Sequence, residues 1–227
     1  MQKLSSPIKL INDSFRIFFA EGNITYFISI YLITVPFLIS AYIQNSMTSS
    51  SLDSLESGSY AIPIAVINLL SLVVFLLTSA AGIVAVKNVV DGNPLRFKET
   101  IIFAWKNLWG FFLLSVLLFL IILGGSILFI IPGIVFAIWF SFAGFIFIDQ
   151  GLGVKASLSR SRELFKGRFW SVFWRLLVFG LFFGLFGGIA FYLLSLIPYG
   201  IGSIISTISG AFSILPYYLL YKELSLQ

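Results

Sequence analysis

The chain has no cysteine and no histidine among its 227 residues. The first absence rules out a disulfide framework and thiol chemistry. The second removes the commonest general base and metal ligand. Charge is also scarce: 10% of residues are Asp, Glu, Lys or Arg, against about 25% in an ordinary soluble domain. Apolar residues fill the space. Hydrophobic side chains make up 59% of the chain, and 26 residues are phenylalanine. A soluble core could not take in that much apolar surface, so the solvent is expected to be lipid and the fold all-α.

The N-terminus lacks the pattern of a cleaved signal peptide. Lys9, Asp13, Arg16 and Glu21 interrupt its apolar residues, and no short apolar core leads to a small-residue cleavage site. The first uninterrupted apolar run is then expected to act as an uncleaved signal anchor.

Six transmembrane helices are predicted, at about 24–43, 61–86, 108–130, 132–148, 169–196 and 201–221. Each is near the ~20 residues needed to cross a ~30 Å hydrocarbon core. Leu108–Ile148 is uncharged throughout and about twice that length, so it must fold back. Gly124-Gly125 and Pro132-Gly133 are the available breaks. A turn near Ile131-Pro132 is favoured, since proline costs nothing in the first turn of a helix.

Three further segments, at about 7–20, 95–106 and 153–166, have apolar residues at helical spacing and a charged opposite face. They are too polar to span and are suited to lying at the membrane surface. All 14 Lys and Arg residues fall on one side of the six-helix arrangement. By the positive-inside rule both termini are then cytoplasmic.

The three hairpins look alike. An Ile-Pro pair opens the second helix of each, at Ile62-Pro63, Ile131-Pro132 and Ile197-Pro198, and a polar amphipathic segment precedes each hairpin. Two of those segments end in similar aromatic–cation clusters, Trp105-Lys106-Asn107-Leu108-Trp109 and Phe165-Lys166-Gly167-Arg168-Phe169-Trp170. Rings at headgroup level beside a cation that meets phosphate suit the membrane interface. All three units start on the same side, unlike the inverted repeats common in secondary transporters.

Candidate functional residues are few. Lys155, Arg160, Arg162, Lys166 and Arg168 form a basic group suited to anionic headgroups or to a protein partner. Asn68, Asp149 and Arg175 are the intramembrane polar candidates, with Thr78 and Ser79 on the helix that carries Asn68. Asp149 is expected to pair with a nearby cation such as Lys155 or Arg160, and Arg175 to snorkel to the headgroups. Asn68 is expected to hydrogen-bond between helices. Gly180, Gly184 and Gly188 form a small-residue stripe matched by Gly202, Ser206 and Gly210. Close packing within that hairpin is the first reading, and homodimerisation the second. No phosphate loop, dinucleotide fingerprint, nucleophile elbow or metal-ligand cluster appears. No cofactor is therefore expected. Nucleic acid is not expected as a partner either, because the charge is spread over one membrane face without a binding motif.

The run Ile131-Pro132-Gly133-Ile134 through Asp149, then Ala156, Ser157, Leu158, Arg160-Ser161, Leu164 and Lys166-Gly167-Arg168-Phe169-Trp170, resembles the membrane domain that precedes the catalytic domain in some bacterial glycerophosphodiester phosphodiesterases. Stand-alone YciC-like membrane proteins are similar. Asp149-Gln150 stands where that pattern has an acidic pair, and Ser157 where it has alanine. The resemblance implies a six-helix bacterial inner-membrane protein. It does not imply phosphodiesterase activity, which resides in a separate histidine-bearing domain. The expectation is a non-enzymatic membrane protein with a lipid-contacting or partner-binding role. A transporter or channel for a small or amphipathic solute, using Asn68, Thr78, Ser79 and Arg175, is the alternative.

Overall fold

The computed structural model describes residues 4–20, 22–34, 36, 61–195 and 201–226, and these are helical with no strand. The first helices are α1 (Pro7–Phe18), α2 (Asn23–Tyr31, continued by a 3-10 turn over Leu32–Thr34), α3 (Ala61–Val90) and α4 (Phe97–Lys106). Next come α5 (Leu108–Leu128), α6 (Ile130–Trp139), α7 (Ala143–Asp149) and α8 (Val154–Leu164). The last two are α9 (Phe169–Ser195) and α10 (Ile201–Ser225).

Four stretches are long and apolar enough to cross a membrane: Ile64–Val90, Leu108–Ile127, Ile130–Asp149 and Phe169–Ile189. A fifth is reached if α1 and α2, which meet at 87°, count as one bent span. Six spans are the sequence expectation, and four to five are what the described residues support. Residues 37–43 of the expected first span lie outside the described residues, and the expected sixth falls in α10.

The helix α3 is central. It touches α2, α4, α5, α7 and α10, and 56% of its most apolar window is buried, against 17% for α5 and 11% for α9. Its sequence explains this. The run Thr78-Ser79-Ala80-Ala81-Gly82 is small, so neighbours approach its axis closely. Ala80, Ala81, Ala85 and Val86 have no exposed surface, and a Cβ on Gly82 would come 2.6 Å from the hydroxyl of Tyr31. By contrast α5 and α9 present leucine and phenylalanine outward, as helices facing hydrocarbon do.

The long apolar run reverses at Phe129, whose backbone is extended between α5 and α6. This is just before the expected Ile131-Pro132 turn. Pro132 lies in the first turn of α6, where an N–H would have had no helical acceptor. Gly125 stays helical and serves the contact instead. A Cβ on Gly133 would lie 2.1 Å from Ser126 Oγ and 3.0 Å from Ser126 Cα, and one on Gly125 would lie 3.1 Å from Gly133 Cα. The two backbones are nearly touching there.

The expected fourth helix, 132–148, is not continuous. It breaks over Phe140–Phe142 into α6 and α7. The hydroxyl of Ser161 donates to the freed carbonyl of Trp139 at 2.7 Å, so α8 satisfies the break and is anchored by it. Ser157, Leu158, Ser161 and Leu164 are the side chains α8 buries. In α1, Ser6 caps the first turn by accepting from the Lys9 N–H, Pro7 opens the helix, and Leu10, Ile11, Ser14 and Phe18 are buried. In α4 the buried side chains are Thr100 and Ala104. Thr100 meets the hydroxyl of Tyr26 in a short hydrogen bond, which ties α4 to α2.

Candidate functional site

The most connected polar group in the fold joins the ends of α3, α7 and α10. Asp149, the last residue of α7, lies at its centre with 12% of its side chain exposed. Lys87 Nζ approaches its Oδ1 at 3.1 Å, and Lys222 Nζ approaches its Oδ2 at 3.6 Å. The hydroxyl of Tyr221 donates to Oδ2 at 2.8 Å and that of Tyr218 to Oδ1 at 3.4 Å. Gln150 donates to the Tyr221 hydroxyl at 3.0 Å. Asp91, just past the end of α3, holds Lys222 from the other side at 3.2 Å.

Local sequence accounts for the assembly. Tyr218, Tyr221 and Lys222 are three and four residues apart on α10, so they share one face. Lys87 and Lys222 lie in the last turns of their helices, where the macrodipole favours a cation. A carboxylate at the end of α7 opposes that dipole, and Lys87 compensates by also donating to the Asp149 carbonyl oxygen at 3.0 Å. Gly151, with φ 63°, then turns the chain into α8, a conformation that side chains with a Cβ rarely adopt. The rings of Phe142 and Phe145 pack on Tyr218 and Tyr221 at centroid distances of 5.6 to 6.2 Å. Two lysines and two aspartates balance in charge. With its carboxylates paired and its tyrosines used as donors, the cluster holds three helix ends together.

The expected partners of Asp149 are not the ones found. Arg160 pairs with Glu163 at 3.1 Å, both of them solvent-exposed, an arrangement that contributes little. Lys155 is exposed on α8. After Gly151, α8 packs through Ser157, Leu158, Ser161 and Leu164, and neither Lys155 nor Arg160 forms an ion pair with Asp149 among the described residues. The cations that reach Asp149 come from helices far away in sequence.

Arg175 is held by backbone carbonyls. Its guanidinium donates to the carbonyl oxygens of Leu4 and Ser5 at 2.9 Å each, and to Ser171 O at 2.6 Å. Glu223 accepts from the Ser5 N–H at 3.1 Å. The N-terminal segment is thereby fastened to α9 and α10. Asn68 is exposed, and Thr78 and Ser79 donate to the carbonyls one turn back in α3. Thr78 and Ser79 thus bond within the helix, and Asn68 makes no side-chain hydrogen bond between helices among the described residues.

The described glycines of the stripe make no close contact among the described residues. A Cβ at Gly180, Gly184, Gly188 or Gly210 would meet nothing within 4 Å, among the described residues. Aromatic rings pack α9 on α10 instead: Phe179 on Tyr217 at 5.3 Å and Phe183 on Phe212 at 5.5 Å. Bulk on the facing side turns the glycines outward. The surroundings of Gly202 and Ser206 lie outside what is described.

The basic residues of α8 are at the surface. Lys155, Arg160, Arg162 and Lys166 are exposed and Arg168 is half-buried. The Arg162 guanidinium sits 4.8 Å from the centroid of the Trp139 ring. Trp105, Trp109, Trp170 and Trp174 are all exposed, at the end of α4 and the starts of α5 and α9.

Comparison of this chain with family models, curated proteins and solved structures finds no match.

Sequence reasoning passed over Lys87, Asp91, Tyr218, Tyr221 and Lys222. A signal for two of them was present. Lys87 follows Pro63 at the same sequence distance as Lys222 follows Pro198.

Proposed function

We propose that this is a non-enzymatic protein of the bacterial inner membrane whose cytoplasmic face contacts anionic phospholipid headgroups. In this reading the chain crosses six times with both termini inside, and α1, α4 and α8 lie at the interface. The likeness of residues 131–170 to stand-alone six-helix membrane proteins fits it. The observation that carries it is the company the cations keep. Among the described residues, Lys98, Lys106, Lys155, Arg162 and Lys166 are exposed and pair with no carboxylate. They stand beside four exposed tryptophans. The Lys87–Asp149 pair brings the ends of α3 and α7 together, and α4 and α8 follow those ends in the chain, so the cations gather at one end of the bundle.

Each cation near an anionic surface contributes about 1 kcal/mol. Changing Lys155, Arg162 and Lys166 together to glutamine is therefore expected to weaken retention of phosphatidylglycerol by tenfold or more. Native mass spectrometry of the detergent-solubilised protein reads this directly. Retention of phosphatidylglycerol that is absent from the start, or unchanged by the triple substitution, would remove the basis for the proposal.

A further inference from the structure

Beside the charge cluster, α1 lies across the last turns of α10 and leaves an open groove of about 640 Å³. Phe15 and Phe18 of α1 pack on Phe212 at 4.5 and 5.2 Å, which sets the spacing of the two helices. The groove has apolar walls, with Leu10 and Ile17 on one side and Leu219 and Leu226 on the other. Its rim carries both signs of charge: Asp13 and Arg16 from α1, Lys222 and Glu223 from α10.

These four charges differ in how they are held. Lys222 is fixed by Asp91 and Asp149, and Glu223 by the Ser5 N–H. Asp13 and Arg16 form no ion pair among the described residues. Their independence is informative, because acid and base three apart on a helix are neighbours that attract each other. Arg96–Glu99 and Arg160–Glu163 have that spacing in this chain, and both close into bridges of 2.7 and 3.1 Å. Asp13 and Arg16 have it too, yet stay apart on the groove wall.

An anion alone would meet Arg16 and Lys222 but also face two carboxylates. A cation alone would meet the reverse conflict. A headgroup with one phosphate and one ammonium satisfies both sides at once, and the apolar walls suit the glycerol and first methylenes behind it. We propose that this groove holds the headgroup of a single zwitterionic phospholipid, its phosphate at Arg16 and its primary ammonium at Asp13. The site is separate from the basic face of α8 and does not depend on that face binding lipid.

The test uses the full-length protein in which Lys155, Arg162 and Lys166 are glutamine, so that the other surface is silent. Phosphatidylethanolamine, phosphatidylcholine and phosphatidylglycerol are offered in equal amounts and retention is read by native mass spectrometry. One phosphatidylethanolamine per chain is expected, held about tenfold better than phosphatidylglycerol and better than phosphatidylcholine, whose methylated ammonium cannot donate to Asp13. Asp13→Asn is expected to abolish the preference over phosphatidylglycerol, and Arg16→Gln to lower retention of all three. Both positions are on the groove rim, outside the buried core, and a thermal-unfolding control confirms folding. Equal retention of phosphatidylethanolamine and phosphatidylglycerol by the unsubstituted groove, or a ratio that Asp13→Asn leaves unchanged, overturns the assignment.

Discussion

Replacing Asp149 with asparagine is expected to lower the stability of the solubilised protein by about 2 kcal/mol, with most of the loss coming from Lys87. The amide keeps the shape of the carboxylate and can still accept from Tyr221, so packing is preserved. What disappears is the countercharge. Lys222 retains Asp91 at 3.2 Å, but among the described residues Lys87 has no other carboxylate. Stranding one member of a fully buried pair costs about 3–5 kcal/mol. The Lys87 side chain is 28% exposed, so water recovers part of that cost. The corresponding drop in unfolding temperature is roughly 4–8 °C.

The double variant decides the cause. If the loss comes from an uncompensated ammonium, Lys87→Met added to Asp149→Asn restores stability, because it removes the stranded charge and keeps the apolar stem. The two substitutions are then strongly non-additive. Tryptophan fluorescence during heating in detergent measures all the variants. An additive result would mean that Asp149 acts through its tyrosine contacts, and no change at all would mean that the cluster is not holding the helix ends.

The second large effect is expected at Gly133. Gly133→Ala would place a Cβ 2.1 Å from Ser126 Oγ and 3.0 Å from Ser126 Cα. The hydroxyl can rotate away, but the backbone atom cannot, so α5 and α6 must separate. Forced overpacking of this kind costs about 1–3 kcal/mol. Ser126→Gly in the same chain removes the Oγ and Cβ contacts but leaves the Cα, and is expected to recover only part of the loss. Gly184→Ala makes the same chemical change on α9, where a Cβ meets nothing within 4 Å among the described residues. Alanine is a better helix former than glycine by up to ~1 kcal/mol, so that variant is expected to be neutral or slightly more stable. Equal losses at positions 133 and 184 would refute the distinction between a tight hairpin and an outward glycine face.

Much of this architecture could be read along the chain because it rests on local physics. Uncharged runs, Pro132 near a reversal and the amphipathic spacing of residues 7–20, 95–106 and 153–166 each depend on residues close together in sequence. The helices found at Pro7–Phe18, Phe97–Lys106 and Val154–Leu164 stand where that spacing places them. The break at Phe140–Phe142 was hidden because its compensation, the Ser161 hydroxyl, lies on another helix. Asp149 was recognisable as a singular residue, but its partners were not. Lys87 and Lys222 look like ordinary positive residues at membrane-helix ends until three helices bring their ends together. The glycines failed for a related reason: Gly180, Gly184 and Gly188 satisfy a packing motif, and the phenylalanines beside them make the contact.

The proposed function rests on a two-sided arrangement in which every cationic segment lies on the cytoplasmic side. The absence of cysteine allows a direct test with single-cysteine variants and a membrane-impermeant maleimide applied to intact and opened cells. Ser54→Cys, within residues 44–60, which contain no Lys or Arg, is expected to react in intact cells. Lys98→Cys, Lys155→Cys and Leu226→Cys are expected to react only once the membrane is opened. Labelling of Lys155→Cys in intact cells, or of positions 54 and 155 from the same side, would contradict the arrangement and the lipid-contacting face built on it.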